Sequence, residues 1–223
     1  MAYIDFMSVL HKSTQRDYLA RVNDPDYPKA KTAELAKKWA FDYWDGDRRI
    51  NYGGYRYIEG RWEKIARVMA EHYGLKPGDK ILDVGCGKGY LLFDFTKVVP
   101  GIEVLGLDVS EYAIANAKEE IKDRLQIGNA TALPYPDKHF DLVITLNTLH
   151  NLHNYDLDKA LREIERVGRK NKYICVESYR NEIEKTNLLY WQLTCEAFCT
   201  PEEWDWWFRQ TGYTGDHSFI YFD

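Results

Sequence analysis

Apolar and polar positions follow two rhythms along this chain, and the change between them divides it into three stretches. Across residues 1–75 apolar and charged positions are mixed in the manner of helices and loops. From Arg61 to Tyr73 the spacing is helical, with Trp62, Ile65, Val68 and Met69 on one stripe. Residue 76 opens a different pattern. The turn Lys76-Pro77-Gly78-Asp79 leads into the short apolar strand Lys80-Ile81-Leu82-Asp83-Val84. A helix near 89–98, a strand over 102–107, a helix over 111–121 and strands over 125–127 and 141–146 follow. A helix over 157–167 and a strand over 172–177 complete the run. Strands alternating with helices predict βαβ units and a mostly parallel α/β sheet. Residues 179–223 read as two helical segments and a last strand. Thr200-Pro201-Glu202-Glu203 starts the second helix, with Thr as cap, Pro at the first position and Glu three residues after the cap.

Composition then limits the function. The chain has 223 residues, enough for one domain with an elaborated end. Its net charge is −5 and its pI about 5.7, so no global field draws it to nucleic acid or to acidic membranes. No apolar run is as long as a membrane helix, and the N-terminus lacks the apolar stretch of a signal peptide. Cys86, Cys175, Cys195 and Cys199 show no CxxC pair, which fits a reducing, cytoplasmic setting. Cys195 and Cys199 stand four apart on an expected helix and read as buried small hydrophobes.

The strongest chemical signal is Asp83-Val84-Gly85-Cys86-Gly87-Lys88-Gly89, directly after a strand and before a helix. Its glycines let the backbone turn sharply and let a ligand approach bare N–H groups. Asp108 closes the next strand, one βαβ step on, where a carboxylate can accept both ribose hydroxyls at about 1.5–3 kcal/mol each. A nicotinamide dehydrogenase would place a third glycine where Tyr90 stands. The acid Asp83 instead suits a ligand with cationic groups, such as the amino group and sulfonium of S-adenosylmethionine.

On these residues the chain resembles the class I S-adenosylmethionine-dependent methyltransferases. The similarity runs through ILDVGCGKG (81–89), GLDVSEYAIANAK (106–118), GNATALPYPDKHFDLVITLNTLHNL (128–152) and KYICVES (172–178), about half the chain. It implies a Rossmann-like sheet over 76–223, with S-adenosylmethionine as cofactor and S-adenosylhomocysteine as product. By that resemblance Gly85, Cys86 and Gly87 back the methionine moiety. Asp108 and Val109 hold the ribose and adenine, Asn129 and Ala130 edge the adenine, and Asn147 lies beside the sulfonium. Asn129 departs from the family, which often has Asp there. The D/N-P-P-Y/F motif of DNA amino-methyltransferases is absent at 145–151, which argues against nucleic-acid bases. The family's sheet usually has seven strands, the last antiparallel. Here 218–222 is followed only by Asp223, so a sheet shortened at its C-terminal edge is expected, its edge covered by the N-terminal segment or by a second subunit of a homodimer.

The acceptor side is less specific. His150, His153 and Asp156 would share one face if helical. They read as a general base for a hydroxyl, as polar helix-start residues touching cofactor or water, or as metal ligands, and no metal is expected. Glu177, at a strand end, points to the cleft or is a solvated acid. Residues 1–75 read as an aromatic-rich helical cap or lid, with 180–200 a lid insertion. Arg48, Arg49, Arg56 and Arg61, interleaved with Tyr52 and other aromatics, suit an anionic small molecule or a cap packing its own rings. Arg180, Tyr190 and Trp191 carry the same ambiguity. Arg49, Tyr52, Arg180 and Trp191 are the acceptor-binding candidates. Methyl transfer to a hydroxyl of a sugar, a nucleotide-linked sugar or a phosphorylated capsule precursor is the expected function, with N-methylation of a small amine, a regulator without turnover and a dehydrogenase as alternatives. The capsule expectation comes from a fainter similarity, YWDGDRRINYGGY (43–55) included, to methyltransferases accompanying bacterial surface-glycan genes.

Overall fold

A computed structural model describes residues 1–10 and 14–223. After a 3-10 turn over Phe6–Val9 come three short helices, α1 (Tyr18–Asn23), α2 (Lys29–Ala36) and α3 (Phe41–Trp44). Helix α4 (Glu63–Tyr73) carries the predicted stripe and ends on Gly74 in the left-handed conformation. Then come β1 (Lys80–Val84), α5 (Tyr90–Val98), β2 (Glu103–Asp108), α6 (Glu111–Ala115), β3 (Leu125–Ile127) and β4 (Phe140–Leu146). The chain continues through α7 (Asn154–Val167), β5 (Gly168–Glu177), α8 (Glu182–Trp191), α9 (Pro201–Thr211) and β6 (Asp216–Ile220). The six strands form one sheet in the order β3-β2-β1-β4-β5-β6, with every pairing parallel. Strand order reverses between β1 and β4, so a crevice opens beyond their carboxyl ends.

The sheet is buried on both faces, as its continuous apolar strands require. One face packs against α4 and α5 through Ile65, Met69, Leu92 and Phe95. The other packs against α7 and α9 through Leu157, Leu161, Trp204 and Phe208. Of residues 1–75, α4 therefore belongs to the main core, whereas Ala36, Tyr43, Trp44 and Ile50 form a separate cluster with Ala113 and Leu193.

The far edge is shortened as expected, and the chain covers it itself. Ile4 N–H donates to the His217 carbonyl (2.9 Å), His217 N–H to Ala2 (3.0 Å), and Thr14 N–H to Tyr221 (3.0 Å). Phe6 follows this edge inward, its ring 4.9 Å from that of Tyr173.

Two expectations for helices are corrected. The helix predicted over 111–121 stops at Ala115 because Asn116 leaves helical geometry and a 3-10 turn over Glu119–Arg124 replaces it. Cys195 and Cys199 are buried but not helical, since the chain is irregular from 192 to 200. The Glu196 and Ala197 amides in that stretch donate to the His150 carbonyl at 2.8 and 2.9 Å instead of forming helical bonds.

Candidate functional site

Two hollows meet in the crevice. The first, about 310 Å³, is lined by Leu107 and Asp108 of β2, by Val109, Asn129 and Ala130 just beyond β2 and β3, and by Trp39 and Tyr43 from the N-terminal region. The second, about 330 Å³, runs from Asp83, Gly85, Cys86 and Gly87 to His150, Glu177 and Gln192, with Arg16, Arg48 and Trp191 beyond. Trp44, Tyr52, Gly85 and Asn147 border both. The rings of Trp44 and Tyr52 stack across this boundary, 5.4 Å apart and 14° from parallel.

The glycine loop has this form for steric reasons. Gly85 has φ +83°, and a Cβ there would lie 2.1 Å from Thr148 Oγ1. At Gly87, φ +54°, a Cβ would lie 2.8 Å from the Trp44 ring. Cys86 lines the hollow as a neutral thiol, because burial pushes its pKa well up. Asn147 holds a left-handed φ of +56°, which Asn tolerates better than most residues.

Asp108, at the end of β2, is buried. Its carboxylate accepts from Gly87 N–H (2.7 Å) and Ser110 N–H (2.8 Å), so it braces the loop as well as facing the hollow. The Asn129 side-chain oxygen accepts from the Thr131 amide and hydroxyl, both at 3.0 Å, which leaves its NH₂ for a ligand. Asp83 is fully enclosed, and burial, then the charge of Asp108, push its pKa up to about 8. Oδ1 of Asp83 and Oδ1 of Asn147 are buried without a hydrogen-bond partner among the described residues.

Beneath the second hollow, His150 and Glu177 form a pair. Glu177 N–H donates to His150 Nδ1 (3.3 Å), so the proton of the neutral ring sits on Nε2, which faces Glu177 Oε2 at 3.4 Å. Burial lowers the His150 pKa to about 3 and raises that of Glu177 to about 8. Gln192 donates to Glu177 Oε1, while Oε2 has no hydrogen-bond partner among the described residues. The lone pair that would make His150 a base is thus already committed.

Other candidates lie elsewhere. His153 does not share a face with His150, because the chain is extended at His153 before α7 begins. Its side chain is exposed, 3.6 Å from Glu196, while Asp156 faces Lys159. Arg49 is outside the crevice, paired with Asp47 and stacked on Tyr27. Arg180 pairs with Glu184 and Asp223 over the Tyr221 ring. Tyr52 and Trp191 do line the second hollow. Sequence reasoning missed the linkage between the loop's Lys88 and Asp45 of the cap, although both stand inside motifs it had marked.

A parallel sheet with this strand order, a glycine loop after β1 and an acid ending β2 defines a class I, Rossmann-like cofactor domain. The methyltransferase-domain profile matches residues 75–212. The demethylmenaquinone methyltransferase of Symbiobacterium thermophilum is 38% identical over 128 residues, covering 53% of this chain and 50% of that protein. A sterol 24-C-methyltransferase of Gibberella zeae is 36% identical over 123 residues, 51% of this chain and 32% of its own. The chain therefore spans half or less of the length of these relatives. The YcgJ protein of Bacillus subtilis shares the fold, with a TM-score of 0.54 at 21% identity over 66% of either chain. This chain belongs to the methyltransferase-domain family. The methyl donor of the family is S-adenosylmethionine, and the residues present fit it. The orphaned oxygens of Asp83 and Asn147 suit its cationic end, and the glycine loop lines the hollow beside them.

Proposed function

We propose that this chain transfers the methyl group of S-adenosylmethionine to a hydroxyl of a small polar acceptor, with Glu177 taking the acceptor's proton. One observation carries the reading. Glu177 Oε2 is buried and makes no hydrogen bond among the described residues, and Glu177 lines the hollow that also holds Asp83 and Gly85. When bound, the donor supplies an electrophilic methyl on a good leaving group. The protein's task is then mainly positioning, for which about 7–11 kcal/mol is available in principle.

In this reading Asp83 and Asn147 orient the cationic end, Asp108 and Val109 take the ribose side, and Asn129 and Ala130 edge the base. His150 acts through Glu177: its Nδ1 accepts from the Glu177 amide and its Nε2 stands 3.4 Å from Oε2, so the ring fixes where the carboxyl sits. Trp44 and Tyr52 exclude water at the boundary of the two hollows. Arg16, Arg48, Asn51, Arg61, Gln192 and Thr194 make the wall of the acceptor hollow polar. That wall favours a sugar, a nucleotide-linked sugar or a phosphorylated precursor.

A second reading is methylation of a quinone precursor, favoured by the name of the Symbiobacterium relative. The family match begins at residue 75, however, and leaves out the cap that supplies much of the acceptor wall. S-adenosylhomocysteine release should be measured over phosphorylated sugars, nucleoside-diphosphate sugars and a soluble hydroxynaphthoquinone. Release with a sugar, lost in Glu177→Gln, is expected. Release with the naphthoquinone alone would replace the sugar reading with the quinone one.

A further inference from the structure

Around Trp191 the protein gathers positive charge in excess of the acids beside it. The guanidinium carbons of Arg16, Arg21 and Arg48 lie 5.5, 4.8 and 5.7 Å from the centre of its indole ring. Lys29 lines the adjoining hollow of about 330 Å³, which also takes in Arg21, Arg48 and Trp191. None of these four cations meets a carboxylate among the described residues. Arg21 donates to the carbonyls of Arg49 (2.6 Å) and Ile50 (3.3 Å), Arg16 to that of Gln15 (2.9 Å), Arg48 to Asn51 and Lys29 to Gln192. By contrast Arg49, Arg67, Arg162, Arg166, Arg169 and Arg180 each sit against an acid.

Two acids, Asp17 and Asp24, line the same hollow as four cations, Arg21, Lys29, Arg48 and Arg49, and both acids are engaged. Asp17 caps α1 by accepting from Ala20 N–H, and Asp24 accepts from the Asp26 and Tyr27 amides, with Arg49 3.8 Å away. Crowding leaves its mark on the cations. Burial, then the charge of Arg48, lowers the Arg21 pKa to about 10, and burial, then Arg21, lowers that of Lys29 to about 8. Like charges brought together on an acidic chain of net charge −5 repel one another, and an anion among them relieves that cost.

We propose that this cluster binds a phosphoryl group of the methyl acceptor, with Arg21 and Arg48, which line one hollow with Trp191, as its ligands and Arg16 adding positive charge from the hollow above Glu177. Planar guanidinium forks match phosphate oxygens two at a time. Arg48 and Trp191 line both this hollow and the one above Glu177, so one molecule can span from the anion site to the base. The inference rests on the acceptor reading above for the identity of the ligand, and on the cluster alone for the site.

Calorimetry on the full chain saturated with S-adenosylhomocysteine tests it, with inorganic pyrophosphate as probe. Wild type should bind. Arg48→Gln and Arg21→Gln should each weaken binding roughly tenfold or more, and Arg48→Lys should recover part of it. S-adenosylhomocysteine affinity should be unchanged in Arg48→Gln, which shows that the variant is folded. Pyrophosphate that fails to bind, or binds all variants alike, overturns the site. Cosedimentation with phosphatidylglycerol–phosphatidylcholine vesicles, weakened by the same variants while pyrophosphate does not bind, overturns it in favour of a lipid surface. If pyrophosphate binding follows these variants and no hydroxyl acceptor is turned over, the anion site stands and the acceptor reading falls.

Discussion

Lys88 of the glycine loop donates to both carboxylate oxygens of Asp45, at 2.9 and 2.7 Å, and to the Tyr55 carbonyl at 2.9 Å. Tyr112 adds a third hydrogen bond to Asp45 at 2.8 Å. One lysine therefore fastens the cofactor loop to the cap. Burial works to raise the Asp45 pKa, but hydrogen bonds from Lys88 and Tyr112 hold it below its ordinary value. Its stabilising contribution is accordingly present above the ordinary carboxylate range and lost as pH falls through it. Lys88→Met should cost about 1–3 kcal/mol, less than a fully buried pair because Asp45 keeps contact with solvent. Thermal melts read that cost. S-adenosylhomocysteine affinity should fall as well, and an unchanged affinity would mean that the cap does not support the loop.

Turnover should depend on the protonation of Glu177. Its pKa is raised to about 8, and a base works only when ionised, so kcat/KM should rise with pH and level off above about 8. Stability should move the opposite way. A carboxyl whose folded pKa lies above its ordinary 4.5 contributes stability that is full below that value and is lost as pH rises to about 8. Glu177→Gln should remove this slope in a pH series of melts and lower turnover about 10²–10⁴-fold. His150→Gln should shift the pH profile rather than abolish turnover, which separates a positioning residue from the base.

Cofactor uptake should release protons. Asp83, with its pKa raised to about 8 from an ordinary 3.8, must ionise to receive a cationic ligand. Titrations of S-adenosylmethionine at pH 7 in buffers of different ionisation enthalpy should show net proton release, absent in Asp83→Asn. Heats that do not vary with buffer would contradict this role.

Asp108 has two tasks that different substitutions can separate. Asp108→Asn keeps an oxygen for one of the two backbone amides, whereas Asp108→Ala strands both Gly87 and Ser110. The alanine variant should lose stability by about 1–3 kcal/mol beyond the asparagine variant, and both should lose most S-adenosylmethionine affinity. Equal melting temperatures for the two would show that the bracing is unimportant.

Phe6 tests the covered edge. It packs on Tyr173 and near Tyr73 and His72, so Phe6→Ala should cost about 3–5 kcal/mol. Removal of residues 1–10 should also expose the edge of β6 and promote association through it, read by light scattering.

The sheet was legible because its signals are local. Apolar runs and glycines after β1 give the strands of the cofactor core close to their observed ends, except β5, which begins at Gly168, four residues before the expected start. The acceptor side was not, because it depends on contacts between distant residues. His150 and His153 look alike in sequence, yet one loses its lone pair to the Glu177 amide and the other faces solvent. Arg48 and Arg49 are neighbours, and only the first turns toward Trp191. Arg16 and Arg21 lie outside the aromatic run and gave no signal of their own.

The segment between the Thr14–Phe222 bridge and α4 is fixed at both footings, one on the sheet edge and one in the core. It is an arch, not a free arm, and Trp44 is its keystone, its indole N–H bonded to Ser110 at 2.9 Å. A segment tethered at both ends cannot diffuse away from its seat, so any opening of it would be reversed by a unimolecular step. Loosening the keystone would then speed the escape of product while weakening the hold on donor, and the best keystone for turnover need not be the tightest one.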